Sequence, residues 1–305
     1  MFKGQTSLTT LSAAIALSLG AGIAQGATLA DLLNANGSNL IEDDSNEYVF
    51  RPLEEGGYDL LTTGNIQDGD VLLQVLDFPK VNGQELDAAG FEFELTGVAL
   101  NIVDNISDPF SFDPDGGGPI NPYQAVNFDM IEGTAADWLA LTGIDINSLG
   151  FDTTDLIALL YEDAANNLDI DTDGYPAGIG LATDGTLRMG LGLEDGTDFI
   201  AVANVPQDIG VFAPGDPGEV PGVTIYGGFS YELSFLYEAI PGDVLSDMGG
   251  SGNNLVTDRI DVAAVIDDTQ ASWTAEAIPE PATLALLGLG FAGLAGAKRR
   301  RRVQS

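Results

Sequence analysis

The sequence predicts a mainly β protein, an antiparallel β-sandwich or jelly-roll-like body with one or two short helices. Apolar and polar residues alternate along several runs, which is the period of a strand with one buried face. Gly, Asn, Asp and Pro lie between these runs and favour turns. No sequence pattern repeats at a period of roughly 20–50 residues, which argues against a solenoid.

The clearest strand pattern runs from Phe229 to Tyr237. An aromatic residue or a leucine occupies every odd position there, and Ser230 and Glu232 fall on the opposite face. This alternation predicts one buried face and one face in water. Further strands are expected at 47–51, 71–76, 91–102, 125–131, 187–193, 199–203 and 256–266.

One helix is expected from about 153 to 165. Asp152 or Thr153 can cap its N-terminus, and Asp155 suits the positive end of the helix dipole. Its apolar stripe is formed by Leu156, Leu159 and Leu160. A weaker helical turn is expected at 135–141.

The N-terminal residues 1–26 have the three parts of a secretory signal peptide. Lys3 supplies the positive charge, an apolar run reaches Ala24, and the small residues Ala24 and Gly26 come just before Ala27. This order predicts export and cleavage before Ala27. The alternative is a buried N-terminal helix, which does not require that order.

The C-terminal residues 278–305 begin with Pro279, Glu280 and Pro281, and continue with an apolar span at 282–297. As a helix, the stretch from Pro281 to Ala297 is roughly 26 Å long, just enough to cross a bilayer. Cations follow at once and would hold this end in the cytoplasm: Lys298, Arg299, Arg300, Arg301 and Arg302. The alternative is an apolar helix packed on the body.

This C-terminal pattern resembles a PEP-CTERM sorting signal, a tail that is sometimes labelled an ice-binding-protein C-terminal domain. The resemblance covers about 28 of 305 residues. In that family an exosortase, a multi-pass membrane protease-transferase, recognises exported Gram-negative proteins and cleaves at or near Pro-Glu-Pro. The resemblance implies transport by the export translocon, transient anchoring in the inner membrane, and an exosortase-type partner. It implies a route and not an activity.

Composition excludes several kinds of site. The chain has no Cys and no His, so disulfides, zinc fingers, iron–sulfur sites and histidine-dependent catalysis are impossible. The formal net charge is −37, which disfavours nucleic-acid binding. The body, residues 27–277, holds 46 of the 47 acidic residues and four of the ten basic ones. Such acidity indicates either solubility or divalent-cation binding.

The sharpest acidic motif is formed by Asp169, Asp171, Asp173 and Gly174. Oxygens at alternate positions of a tight loop can converge on calcium, and Gly at the sixth position permits the turn. The twelfth position is Gly180 instead of Glu, so this is not an EF-hand. A remote carboxylate could complete a calcium site, and four are candidates: Glu162, Asp163, Glu194 and Asp195. The alternative is an acidic surface turn.

The lack of Cys and His and the excess of carboxylates favour a binding or structural protein over an enzyme. A pair of carboxylates, as in glycosidases, is the one acid/base system left, and no pair stands out by sequence. Aromatic side chains could bind sugars, although packing in the core is the expected role of Trp138, Trp273, Tyr123, Tyr175 and Tyr226.

The sequence therefore predicts a cell-surface or extracellular-matrix protein with a structural or adhesive role, with calcium as a candidate stabiliser. The alternative is a carbohydrate-binding or carbohydrate-acting secreted protein, with extracellular polysaccharide as its partner.

Overall fold

The computed structural model describes residues 28–86, 93–112, 123–163, 167–170, 172–208, 225–255 and 264–276. The expected signal peptide, with Ala24, Gly26 and Ala27, and the expected C-terminal span lie outside these residues. Within the described ranges, no helix has the length and apolar character needed to cross a membrane.

Strands make up most of the described chain. In order they are β1 (Gly37–Pro52), β2 (Tyr58–Leu60), β3 (Val71–Val81), β4 (Gln84–Glu85), β5 (Glu94–Asp104), β6 (Phe110–Phe112), β7 (Tyr123–Glu132), β8 (Leu156–Asp163), β9 (Thr186–Gly192), β10 (Phe199–Pro206), β11 (Ile225–Glu238), β12 (Asp243–Val244), β13 (Met248–Leu255) and β14 (Ala264–Glu276). The helices are α1 (Leu29–Leu32), α2 (Ala135–Thr142) and α3 (Ala177–Ala182), and Ile146–Ser148 forms a 3-10 turn.

Eight of these strands close into an antiparallel barrel. The ring runs β1, β3, β5, β8, β9, β11, β13, β14 and back to β1. The antiparallel pair of β7 and β10 also fits between β5 and β11, because β5 pairs with β8 through 94–99 and with β7 through 101–104, and β10 pairs with β11. The mainly antiparallel β prediction is confirmed, but the arrangement is a closed barrel instead of a clear sandwich. Closure pairs edges that two separate sheets would leave open.

Buried side chains form two layers, one inside the barrel and one outside it. Alternate residues of β5 show the division, since Leu95 and Ala99 belong to the inner layer and Val98 and Leu100 to the outer layer. The outer layer is covered by α2 and α3, with Trp138 fully buried. The barrel wall is therefore buried on both faces here, which needs apolar residues at successive strand positions.

The helix expected from 153 to 165 is wrong, because this segment contains β8. Its first seven residues are all buried, so β8 is apolar on both faces. Leu156 and Leu159 pack in the outer layer and Leu160 in the inner layer. The expected helix caps at Asp152 and Thr153 are therefore wrong as well; Asp152 instead accepts hydrogen bonds from the N–H and hydroxyl of Thr154 in a turn that leads into the strand.

Other predicted elements are confirmed. The runs at 47–51, 71–76, 125–131, 187–193 and 199–203 fall within or largely within β1, β3, β7, β9 and β10, and Phe229–Tyr237 falls within β11. The helical turn at 135–141 is α2, which the side chain of Thr134 caps. Most of the run at 256–266 lies outside the described residues.

The first and last described strands meet at one end of the barrel. Gly242 lies in this region with a φ of +91°, and a Cβ there would be 2.7 Å from the Glu276 carbonyl oxygen and 2.8 Å from that of Ala35. The chain therefore enters and leaves the barrel at the same pole.

Candidate functional site

Acidic side chains from four neighbouring strands lie together on the barrel wall. Asp44 on β1 is opposite Asp77 on β3, and Glu94 on β5 is opposite Asp163 on β8. Residues 167–170, which we call the covering segment, are held against this region, since Glu94 accepts hydrogen bonds from their backbone and the Asp169 carboxylate raises the pKa of Asp77. We call Asp44, Asp77, Glu94, Asp163 and Asp169 the acidic cluster.

Glu94 ties the covering segment to the barrel. Its Oε2 accepts hydrogen bonds from the backbone N–H groups of Asn167 at 3.1 Å and Leu168 at 3.3 Å. The residue is only 4% exposed, and its Oε1 is buried with no hydrogen-bond partner. An unsatisfied buried carboxylate oxygen is costly, and it is a strong acceptor for an added cation or donor.

Burial and like charge perturb two members of the cluster. Burial raises the pKa of Asp77 to about 7, and the neighbouring carboxylates of Asp44 and Asp169 add to the effect. Burial also raises the pKa of Glu94 to about 7, against the two backbone hydrogen bonds it accepts and with help from Asp77 and Asp163. The ionised forms are therefore disfavoured in the folded protein.

Each of the three cations in the described residues forms an ion pair with a carboxylate. Arg51 lies 2.6 Å from Asp70, and Arg188 lies 2.8 Å from Glu162. Lys80 contacts Glu42 at 3.0 Å and Glu85 at 3.7 Å. Among the remote carboxylates proposed to complete a calcium site, Glu162 is thus already ion-paired.

The predicted acidic loop is closed by its own backbone. Asp173 accepts a hydrogen bond from the Asp169 N–H at 2.8 Å, and the Asp173 N–H donates to the Asp169 carbonyl at 2.8 Å. Asp171 lies outside the described residues. Within the parts of the chain that the structure describes, no three acidic side chains have the spacing of a formed metal site. Calcium binding by Asp169, Asp171 and Asp173 remains a prediction.

The structure adds partners that sequence reasoning missed. Asp77 and Glu94 lie far from Asp169 in sequence, and only the pairing of β3, β5 and β8 brings them together. The other remote candidates differ from one another: Asp163 joins the cluster, whereas Asp195 accepts hydrogen bonds from Thr197 in a turn. The available signal was Glu94 inside the predicted strand 91–102 and Asp77 directly after the predicted strand 71–76.

Two further carboxyl groups are buried on β1. Asp43 is 7% exposed, and its Oδ1 has no hydrogen-bond partner. Glu47 accepts a hydrogen bond from Gln74 at 2.6 Å. Burial raises the pKa of both side chains, and Asp44 and Asp77 raise that of Asp43 further. The acidic region therefore extends through the barrel wall.

A separate cleft of about 570 Å³ opens beside the last residues of β11. After β11 the chain first forms β12, which pairs with β14, and then forms β13, which pairs with β11. The two arms of the β11–β13 hairpin therefore separate beside the cleft. Ser234 in the cleft donates to Asp198 at 2.8 Å. Three carboxylates line the cleft: Glu194, Glu238 and Asp247.

The aromatic residues considered for sugar binding pack in the protein. Trp138 and Trp273 are buried. Tyr175 packs edge-on against Phe50, with ring centroids 4.9 Å apart, and its hydroxyl donates to the Leu141 carbonyl. The core-packing prediction is confirmed for these three. The side chains of Tyr123 and Tyr226 lie outside the described residues.

Comparison with protein families identifies the end of the chain. Residues 277–302 match the PEP-CTERM protein-sorting motif. The motif includes Pro279, Glu280 and Pro281 as well as Arg299 to Arg302. It implies export and sorting by an exosortase-type system. Comparison with curated proteins and with solved structures gives no match.

Proposed function

We propose, on the premise that residues 277–302 are a PEP-CTERM sorting motif, that this protein is a non-enzymatic structural or adhesive component of the cell surface or extracellular matrix. Its barrel is the exported cargo, and divalent cations such as calcium stabilise it. The export translocon and an exosortase-type protease are its processing partners. The apolar span at 282–297 holds it in the inner membrane until cleavage.

The observation that supports this function is the direct connection between the barrel and the sorting motif. β14 ends at Glu276, and the matched motif begins at the next residue. Pro279 is therefore only three residues beyond the barrel, which places the processing site next to the folded body. Because the chain enters and leaves at one pole, the opposite pole would face away from the membrane during tethering.

The absence of His and Cys supports a non-enzymatic role. Carboxylates are the remaining acid/base groups, and they gather in the acidic cluster and in the cleft beside β11. The acidic cluster lies beneath a covering segment, which suits cation binding better than access by a large substrate. A surface protein with a high negative charge can also be bridged to other acidic polymers by divalent ions.

Processing in the host tests the route. The triple variant Pro279→Ala, Glu280→Ala, Pro281→Ala should stay in the membrane fraction and keep the Arg-rich tail. The matched control is Glu276→Gln, immediately before the motif. Mass spectrometry of the mature C-terminus measures the outcome. If mature wild-type protein still carries Arg299–Arg302, the chain is not cleaved and the C-terminal span is a permanent anchor.

A deletion strain tests the role. Loss of surface or matrix cohesion that is restored by the wild-type chain supports a structural function. Unchanged cohesion in the deletion strain would overturn it.

The second candidate function is carbohydrate binding at the cleft beside β11. Carboxylates suit sugar hydroxyls as acceptors, and Ser234 lines the cleft with them. Binding to a defined polysaccharide that Asp247→Asn weakens and the exposed control Glu54→Gln preserves would favour this function. A deletion phenotype without any glycan affinity would favour the structural role.

A further inference from the structure

We infer that the outer face of β10, β11, β13 and β14 binds an extended, neutral polysaccharide. We call this surface the open face. The buried side chains beneath α2 and α3 come from β1, β3, β5 and β8, so the open face lies on another part of the barrel wall. The inference rests on the adhesive role proposed above and gives the chemical class of the partner.

Strand pairing places four residues in one row across the open face. Phe199 on β10 is directly opposite Glu232 on β11. Gly249 on β13 is opposite Glu232 on one side and opposite Ser272 on β14 on the other. Neighbouring strands lie about 4.8 Å apart, so the row is about 14 Å long, which is longer than a single sugar ring.

One end of this row combines an aromatic ring with a hydrogen-bond acceptor. Phe199 is 43% exposed, whereas the next residue, Ile200, is 8% exposed and packs inside the barrel. An exposed aromatic ring gives the apolar face of a sugar a surface to pack on. The carboxylate of Glu232 accepts hydrogen bonds from hydroxyl groups at the edge of the same sugar.

A second row of small polar side chains lies two residues further along the strands, at a distance of about 7 Å. Ser230 on β11 is opposite Ser251 on β13, and Ser251 is opposite Gln270 on β14. Ser251 and Gln270 are exposed. Hydroxyl and amide groups donate and accept hydrogen bonds, so they match the hydroxyl groups of a polysaccharide.

Gly249 keeps the middle of the open face flat. A Cβ at this position would have one neighbour within 4 Å, the Tyr231 carbonyl oxygen at 3.8 Å, and the φ of Gly249 is outside the left-handed region. The barrel therefore has room for a side chain at this position. Glycine weakens a strand, and it often marks a place where a ligand approaches the backbone closely. A polysaccharide lying across the strands explains this glycine.

Charge selects a neutral polymer. The chain has a formal net charge of −37, so an anionic polymer would be repelled, and so would a second copy of this protein. In the two rows, Glu232 is the one charged residue. Hydrogen bonding and ring packing, instead of ion pairing, are therefore what the open face offers to a partner.

The experiment is native gel electrophoresis of the exported protein, purified from its host, in gels that contain dextran, hydroxyethyl cellulose or alginate. A neutral polymer should retard the wild type, and the acidic alginate should not. Gly249→Leu and Phe199→Ala should each weaken the binding by about tenfold or more. The matched controls Gly180→Leu on α3 and Leu139→Ala on α2 change exposed positions away from the open face and should bind like the wild type.

Thermal unfolding shows whether Gly249→Leu is folded. Full binding by folded Gly249→Leu would overturn the inference, and so would equal retardation by alginate or no retardation by either neutral polymer. Loss of binding in Asp247→Asn with full binding in Gly249→Leu would move the site to the cleft beside β11. A wild-type dimer in sedimentation that Gly249→Leu dissociates would assign the open face to a second copy.

Failure of this inference and failure of the proposed function are distinguishable. A deletion strain that loses cohesion, although the purified protein binds no neutral polymer, would keep the structural role and overturn the open face as a polysaccharide site. Binding that Gly249→Leu abolishes, in a protein whose deletion leaves cohesion unchanged, would keep the site and overturn the structural role.

Discussion

Asp77→Asn should make the calcium-free protein more stable at pH 8 and leave it almost unchanged at pH 4. In the folded protein the pKa of Asp77 is about 7, against 3.8 for an ordinary aspartate. A folded-state carboxyl pKa above the unfolded value means that the native protein binds the proton more tightly. Stability is therefore present below the unfolded pKa and falls as the pH rises from about 4 to 7.

The magnitude follows from the size of that shift. Roughly three pKa units at about 1.4 kcal/mol each give an upper value of about 4 kcal/mol. Asp77 is only partly buried, and solvent screening reduces the cost to about 2–4 kcal/mol. Asparagine keeps an acceptor for the Phe78 N–H, so the variant loses the charge and little else.

Urea unfolding in chelator at pH 4, 6 and 8 measures this effect. The free energy of unfolding of the wild type should fall across this range by more than that of Asp77→Asn. Glu54→Gln, in the exposed turn after β1, should follow the wild type at every pH. The reasoning would be refuted if Asp77→Asn were less stable than the wild type at pH 8, or if the two proteins had the same pH dependence.

Two other substitutions test the packing of the barrel. Gly250→Ala should destabilise the protein by about 1–3 kcal/mol in urea unfolding, because a Cβ there would lie 2.4 Å from the Tyr231 ring; an unchanged midpoint would mean that the ring moves freely. Asp70→Asn should cost about 3 kcal/mol, since Asp70 is 1% exposed and accepts two hydrogen bonds from Arg51 at 2.8 and 2.6 Å. Its loss should persist in 1 M salt, and a loss that salt abolishes would indicate a merely superficial ion pair.

Strand periodicity predicted much of the barrel and failed at β8 for a physical reason. Leucines at 156, 159 and 160 fit one face of a helix, but a strand buried on both faces produces the same spacing. Whether a second apolar face is covered depends on α2 and α3, which come from other parts of the chain. Local pattern alone could not decide between the two structures.

The candidate site was predictable only in part. The acidic motif that contains Asp169 and Asp173 is visible because its members are close in sequence. Asp77 and Glu94 sit inside strands, where a polar residue normally indicates a solvent-facing position. Their role depends on which strands are neighbours and on the segment that covers them, and neither is a local property.

The sequence by itself determined the C-terminal sorting motif, the acidity of the body and the β class. A sorting motif is recognised as a linear pattern, and alternation along a strand depends on residues only two positions apart. Only the tertiary structure decided that the sheet closes and which carboxylates meet. No local pattern specifies the pairing of β1 with β14 or of β3 with β5, because each joins residues from separate strands that meet only when the barrel forms.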